Sequence, residues 1–147
     1  MTKTVKITFL LLITFYLSIN FSALAQCDSE IYTSQALKTL TTGFTFVKAY
    51  KVDGKEGTRK QIEYTCVMNK DNSYMMRVSS KDGAANGIIV TLYDAQRNEL
   101  AINQISNKSF VGWTFKCGAT GVYYITFTFK DSPSYCGGAV LGFKITN

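Results

Sequence analysis

The chain has 147 residues, with 16 basic against 10 acidic side chains and no histidine. The missing imidazole excludes Ser-His-Asp and Cys-His nucleophile systems and removes the commonest metal ligand. The net charge of +6 is spread along the chain, with Arg59-Lys60 its only adjacent basic pair, so the clustered footprint of a nucleic-acid binder is absent.

In chain order the first element is a processing segment. Lys3 and Lys6 precede an almost wholly apolar run, Ile7 to Phe21, and Ala23-Leu24-Ala25 sets small residues where a signal peptidase reads them. Cleavage is expected before Gln26. The apolar run is shorter than the roughly 20 residues of a membrane span, which argues against an uncleaved anchor. Lipid attachment at Cys27 is disfavoured because Gln26 stands where a lipobox has a small residue. The expected product is a secreted or periplasmic chain, residues 26–147, forming one domain with no transmembrane segment left after processing. Export also makes nucleic acid an unexpected partner.

Asp28 to Thr42 is the one helical stretch. Ile31, Ala36, Leu37 and Leu40 fall near one face, Asp28 or Ser29 is placed to cap the start, and Gly43 to end it. From Phe44 the apolar period becomes two. Phe44, Phe46, Tyr50 and Val52 share a parity that Lys48 interrupts. Ile62, Tyr64, Cys66 and Met68 follow, then Tyr74, Met76 and Val78, with Met75 and Arg77 on the opposite parity. Ile88, Val90 and Leu92 face one way, and Thr91 and Tyr93 the other. After the turn Asp94 to Asn98 and the strand Glu99 to Ile102 come Phe110 to Cys117, with Trp113, Phe115 and Cys117 aligned. Tyr123, Ile125, Phe127 and Phe129 oppose Tyr124, and Ala139, Leu141, Phe143 and Ile145 close the chain. About eight short alternating strands separated by polar turns predict an all-β, antiparallel, jelly-roll-like β-sandwich with one short N-terminal helix.

All four cysteines, Cys27, Cys66, Cys117 and Cys136, lie beyond the processing segment, and an even count in an exported chain predicts two disulfides. If successive strands alternate in direction and the helix runs antiparallel to the first, Cys27 and Cys136 meet at one end. Cys66 and Cys117 then fall near the other, both inward. Bridged cysteines need Cα atoms within about 7 Å. The expected pairs are therefore Cys27–Cys136 and Cys66–Cys117.

Ile89-Val90-Thr91-Leu92-Tyr93-Asp94 followed by Glu99-Leu100-Ala101 resembles the hairpin of bacterial pre-peptidase C-terminal domains. Thr120-Gly121-Val122-Tyr123-Tyr124-Ile125 resembles a later strand of the same domains. The resemblance covers roughly the last 60 residues. It implies a small secreted jelly-roll sandwich without catalytic activity of its own, of the kind appended to secreted enzymes. The N-terminal helix and the four cysteines are not part of that pattern.

Little in the chain points to chemistry. Paired carboxylates run glycoside hydrolysis, but the acids here lie in turns or, like Glu63, on an outward parity. A small carboxylate-based hydrolase is therefore the last of the readings. No glycine-rich phosphate loop opens a helix after a strand. Asp53 with Glu56, and Asp71-Asn72 with Asp82, supply oxygens of the kind calcium takes, yet calcium needs six or more converging and solvated turns account for them. No cofactor or metal is expected.

Outward aromatics remain. Tyr93 and Tyr124 lie on the polar parity of two central strands, and Arg77 on that of another. Exposed rings on a sheet face stack on sugars or form an interface; alternatively the helix covers them and they are its packing floor. Tyr135, before Cys136-Gly137-Gly138, is a further candidate or part of a disulfide-pinned turn. The tentative ligand-binding set is thus Tyr93, Tyr124, Arg77 and Tyr135. The expected function is a non-enzymatic binding or accessory module acting on an envelope or extracellular protein, with glycan recognition through exposed tyrosines as the alternative.

Overall fold

The computed structural model describes residues 27–146, so the secretion signal expected over residues 1–25 lies outside the described residues. The chain opens with a helix, α1 (Ser29–Lys38), followed by β1 (Thr45–Asp53), β2 (Gln61–Met68), β3 (Asn72–Ser80), β4 (Ile88–Tyr93) and β5 (Glu99–Ile102). A two-residue hairpin, β6 (Gln104–Ile105) and β7 (Lys108–Ser109), leads to β8 (Gly112–Lys116), β9 (Gly121–Phe129) and β10 (Cys136–Ile145).

Two antiparallel four-stranded sheets form the sandwich, in the orders β1-β10-β3-β8 and β2-β9-β4-β5. We call them sheets A and B. Consecutive long strands mostly change sheet, and each sheet interleaves strands from the two halves of the chain. This is the jelly-roll winding. Inward parity is as the alternation predicts: Tyr50, Met68, Met76, Ile88, Leu92 and Phe127 are all fully buried between the sheets. Tyr50, Tyr64 and Phe127 pack as an aromatic trio, with ring centroids 5.0 to 6.2 Å apart. The Tyr64 hydroxyl donates to the Lys51 carbonyl at 2.6 Å and ties the β2 edge of sheet B to the β1 edge of sheet A. A register shift between Phe46 and Lys48 explains the interrupted parity of β1.

The helix differs from its sequence expectation in length and in the face it buries. It ends at Lys38, where Thr39 and Leu40 donate back to Ala36 and Leu37. Ile31 and Leu37 are exposed, whereas Ser29 and Ala36 are buried. Small residues make the contact because α1 lies almost on the backbone of β10. A Cβ built on Gly138 would fall 2.4 Å from the Thr33 nitrogen and 2.8 Å from the Ser29 carbonyl oxygen. A broad apolar stripe would hold the helix off that surface. Ser79 Oγ donates to Gln35 Oε1 at 2.9 Å and fixes the helix on β3.

One disulfide is present among the described residues, Cys27–Cys136, with Cα atoms 5.4 Å apart. It pins the chain ahead of α1 to the start of β10. The second expected bridge is not formed: Cys66 and Cys117 are free thiols. Both do face inward at the same end of the sandwich. Cys117 exchanges backbone hydrogen bonds with Asp71 and Asn72 in the β2–β3 turn, and Cys66 lies opposite Tyr123 in the β2–β9 register. Cys117 Sγ instead sits 3.4 Å from the Tyr123 hydroxyl and 3.1 Å from the Ala119 carbonyl oxygen. The tyrosine hydroxyl, rather than the Cys66 sulfur, is the partner of Cys117.

Candidate functional site

Sheet A is covered on its outer side by α1; among the described residues no helix packs over the outer side of sheet B. That asymmetry decides between the two sequence readings of Tyr93 and Tyr124. Both lie on the outer side of sheet B, directly opposite one another in the β4–β9 register, and both are partly exposed. They are not the floor of the helix. The residues beneath the helix are Met75, Arg77, Ser79 and Val140 of sheet A, paired with or beside Gly138 and Gly142.

The β4–β5 turn completes this face. Asp94 accepts hydrogen bonds through Oδ1 from the Gln96 and Asn98 amides, at 2.9 and 2.8 Å, and through Oδ2 from Asn98 Nδ2 at 2.8 Å. Aspartate at this position favours such a self-bonded turn. The Asn98 side chain, foremost, holds the Asp94 carboxyl below its ordinary range. Inside the turn Arg97 takes a left-handed conformation, φ 67°. Its guanidinium folds back over the sheet, 3.7 Å from the centroid of the Tyr124 ring. There it donates two hydrogen bonds to Glu63 of β2, at 2.6 and 3.1 Å. Glu63 also accepts from Thr126 Oγ1 at 3.3 Å. The Arg97 hydrogen bond is the main reason that Glu63 loses its proton more readily than a free glutamate.

One ordered polar cluster therefore spans three strands and a turn: Glu63, Thr126, Tyr124, Tyr93 and Arg97. The planar guanidinium suits both contacts, since it bonds a carboxylate with two parallel N–H groups and stacks on an aromatic face. Arg97 is about half exposed, so a partner can reach it.

The other two sequence candidates stand elsewhere. Arg77 is on the opposite sheet, where its Nη2 donates to Thr41 Oγ1 at 3.3 Å. Tyr135 is in the β9–β10 loop, its ring 5.5 Å from that of Phe129 and its carbonyl accepting from the Gly54 amide at 2.8 Å. It packs the β1–β2 loop onto the sandwich. Of the four tentative residues, the structure brings together only Tyr93 and Tyr124. Sequence reasoning missed Arg97. The signal was present in the Asp94-to-Asn98 turn, but its target depends on strand order. Of the two oxygen sets weighed for calcium, Asp71 and Asp82 separate: Asp71 is in the β2–β3 turn and Asp82 in the β3–β4 loop, at opposite ends of β3. Among the described residues no three of His, Cys, Asp or Glu converge as metal ligands. No described helix is long and apolar enough to cross a membrane.

No family model and no curated protein matches the chain. Solved structures do. The periplasmic inhibitor of g-type lysozyme from Aeromonas hydrophila is similar over 69% of this chain and 87% of that one, at 10% identity and a TM-score of 0.46. The pre-peptidase C-terminal domain of a Bacillus anthracis collagenase is similar over 69% and 89%, at 22% identity and a TM-score of 0.45. The latter is the domain type that the Ile89–Asp94 and Thr120–Ile125 stretches resemble.

Proposed function

We propose that this chain is an exported, non-enzymatic binding module that engages an envelope or extracellular protein through the outer face of sheet B. The observation that carries the proposal is the uncovered face bearing the Tyr93–Tyr124 pair with Arg97 stacked on it. Tyrosine and arginine are the side chains most enriched where protein interfaces concentrate their energy. Their order in the free chain also lowers the conformational cost of binding.

The same geometry favours a protein over a glycan. A sugar stacks on a free aromatic face, and the guanidinium occupies one face of Tyr124. It also weighs against hydrolysis. A general acid at neutral pH needs a raised carboxyl pKa, whereas Glu63 and Asp94 are both shifted down by their hydrogen-bond partners.

The test is affinity capture from envelope extract and culture medium with immobilised wild type and Tyr124→Ala, alongside a soluble glycan array. Capture of a stoichiometric protein by the wild type and its loss in the variant supports the reading. Glycan binding without protein capture would replace it with the carbohydrate alternative.

A further inference from the structure

Across the outer face of sheet B, in the strand order β2-β9-β4-β5, stand Glu63, Tyr124, Tyr93 and Glu99. A carboxylate and a tyrosine are followed by a tyrosine and a carboxylate. Tyr93 is paired with Tyr124 on one side and with Glu99 on the other. Opposite residues of an antiparallel pair hold their Cβ atoms about 4.5–5.5 Å apart. Glu63 is diagonal to Tyr124, because Thr65 takes the place directly opposite.

The chain itself fills one half of this row. Arg97 lies over the Tyr124 ring and bonds Glu63 with two N–H groups. The ring face attracts the cation, and the carboxylate meets its charge and its donors. The other half sets the same two groups, Tyr93 and Glu99, on adjacent strands. Among the described residues no basic side chain forms an ion pair with Glu99 or lies over the Tyr93 ring. Arg97 is committed to Glu63 on β2, at the opposite edge of the sheet from Glu99 on β5. Glu99 is exposed and Tyr93 half-buried, so a partner can reach both.

The distribution of charge points the same way. The four strands of sheet B and the β4–β5 turn carry Glu63, Asp94 and Glu99 against a single cation, Arg97. Glu63 balances that cation, which leaves Asp94 and Glu99 without an ion pair among the described residues. The rest of the chain beyond residue 26 carries 13 basic side chains against 7 acidic. The outer face of sheet B is thus the acidic part of a basic molecule. A surface complementary to it is positive.

We propose that Tyr93 and Glu99 receive an arginine or lysine side chain from a basic patch of the protein partner, as Tyr124 and Glu63 hold Arg97. This inference rests on the reading that the outer face of sheet B meets a protein, and it adds the chemistry of that protein's contact surface.

The experiment titrates 15N-labelled protein with an arginine hexapeptide amide at low ionic strength, followed by backbone NMR shifts, with a glutamate hexapeptide as contrast. Saturable shifts centred on Tyr93 and Glu99 are expected from the arginine peptide, weakening as salt is added, and none from the glutamate peptide. Glu99→Gln keeps the size of an exposed side chain and is expected to weaken binding about twofold to fivefold. Tyr93→Leu, which keeps an apolar side chain but removes the ring, should weaken it by a similar factor. Glu99→Lys should abolish the shifts, and Glu30→Gln, on the helix over the other sheet, should leave them unchanged. Shifts that stay away from Tyr93 and Glu99, or an affinity unaltered in both Glu99 variants, overturn the proposal. Affinity capture separates it from the reading beneath it. A protein lost in Tyr124→Ala but retained in Glu99→Lys overturns this inference and leaves that reading standing; localised arginine binding with no protein captured by the wild type overturns that reading instead.

Discussion

Asn103 offers the sharpest test of how this sandwich is held at its loop end. The residue is buried, 1% exposed, between β5 and β6. Its Oδ1 accepts from the Val90 amide at 2.8 Å, and its Nδ2 donates to the carbonyl oxygens of Ile88 at 3.1 Å and Phe110 at 2.8 Å. One side chain thus serves as a piece of strand, continuing β4 toward the segment that leads into β8. Asn103→Ala removes three hydrogen bonds, each contributing about 1 kcal/mol net, and strands the groups that made them. A buried backbone group left unpaired costs about 1–3 kcal/mol. Val90 and Ile88 are sealed from solvent, while Phe110 is open enough for water to replace the lost donor. The expected loss is about 3–5 kcal/mol, a large share of the roughly 5–15 kcal/mol that holds a domain folded. Urea unfolding followed by Trp113 fluorescence measures it, with the midpoint falling and the slope unchanged. A loss below about 1 kcal/mol would refute the reasoning, because water would then be doing the work assigned to the amide.

Gly138→Val should cost about 3 kcal/mol or more, since the new Cβ meets helix backbone rather than a movable side chain; thermal unfolding reads this, and a neutral result would mean that α1 is not seated on β10. Thiol titration should find no reactive sulfhydryl in the native chain and two after denaturation, with peptide mapping linking Cys27 to Cys136; a Cys66–Cys117 fragment would contradict the hydrogen-bonded Cys117 described above. Alkaline pH should destabilise the fold. Burial, foremost, pushes the Cys66 thiol from 9.0 up to about 11 and the Tyr50 phenol above its ordinary 10.0. Both groups are neutral when protonated, so the folded chain holds their protons more tightly than the unfolded one. The Cys66 contribution is full below about pH 9 and drains away as the pH rises through 9 to 11, and the Tyr50 contribution drains away only above about pH 10, which denaturation midpoints measured upward from pH 8 will show; a flat profile would mean that neither group titrates differently on folding.

Much of the fold was legible because strand parity is a local property. The inward sets of β2, β3, β4 and β9 were readable residue by residue, since each alternates apolar and polar side chains over a turn-bounded run. The Cys27–Cys136 contact followed from alternating strand direction and a helix running antiparallel to the first strand. What could not be read was order within the sheets. Pairing of β2 with β9 and of β9 with β4 brings Glu63, Tyr124 and Tyr93 into adjacent strands, and nothing local to any of them encodes it. Arg97 looked like an ordinary turn residue for the same reason. The helix misled through its apolar residues: Ile31 and Leu37 suggested the buried face, while the contact is set by Gly138 on the opposing strand. Asn103 gave no signal at all, because a lone asparagine between short strands is compositionally a loop.

The claim that matters most is that the outer face of sheet B meets a protein. Thr65 lies opposite Tyr124 on that face, and Ser34 is exposed on the helix that covers the other sheet. Replacing each in turn with a photo-cross-linking phenylalanine analogue, and irradiating intact cells, tests the claim without knowledge of the partner. A discrete heavier adduct containing a second protein is expected from Thr65 and not from Ser34. An adduct from Ser34 alone would place the interface on the helix side and contradict the account.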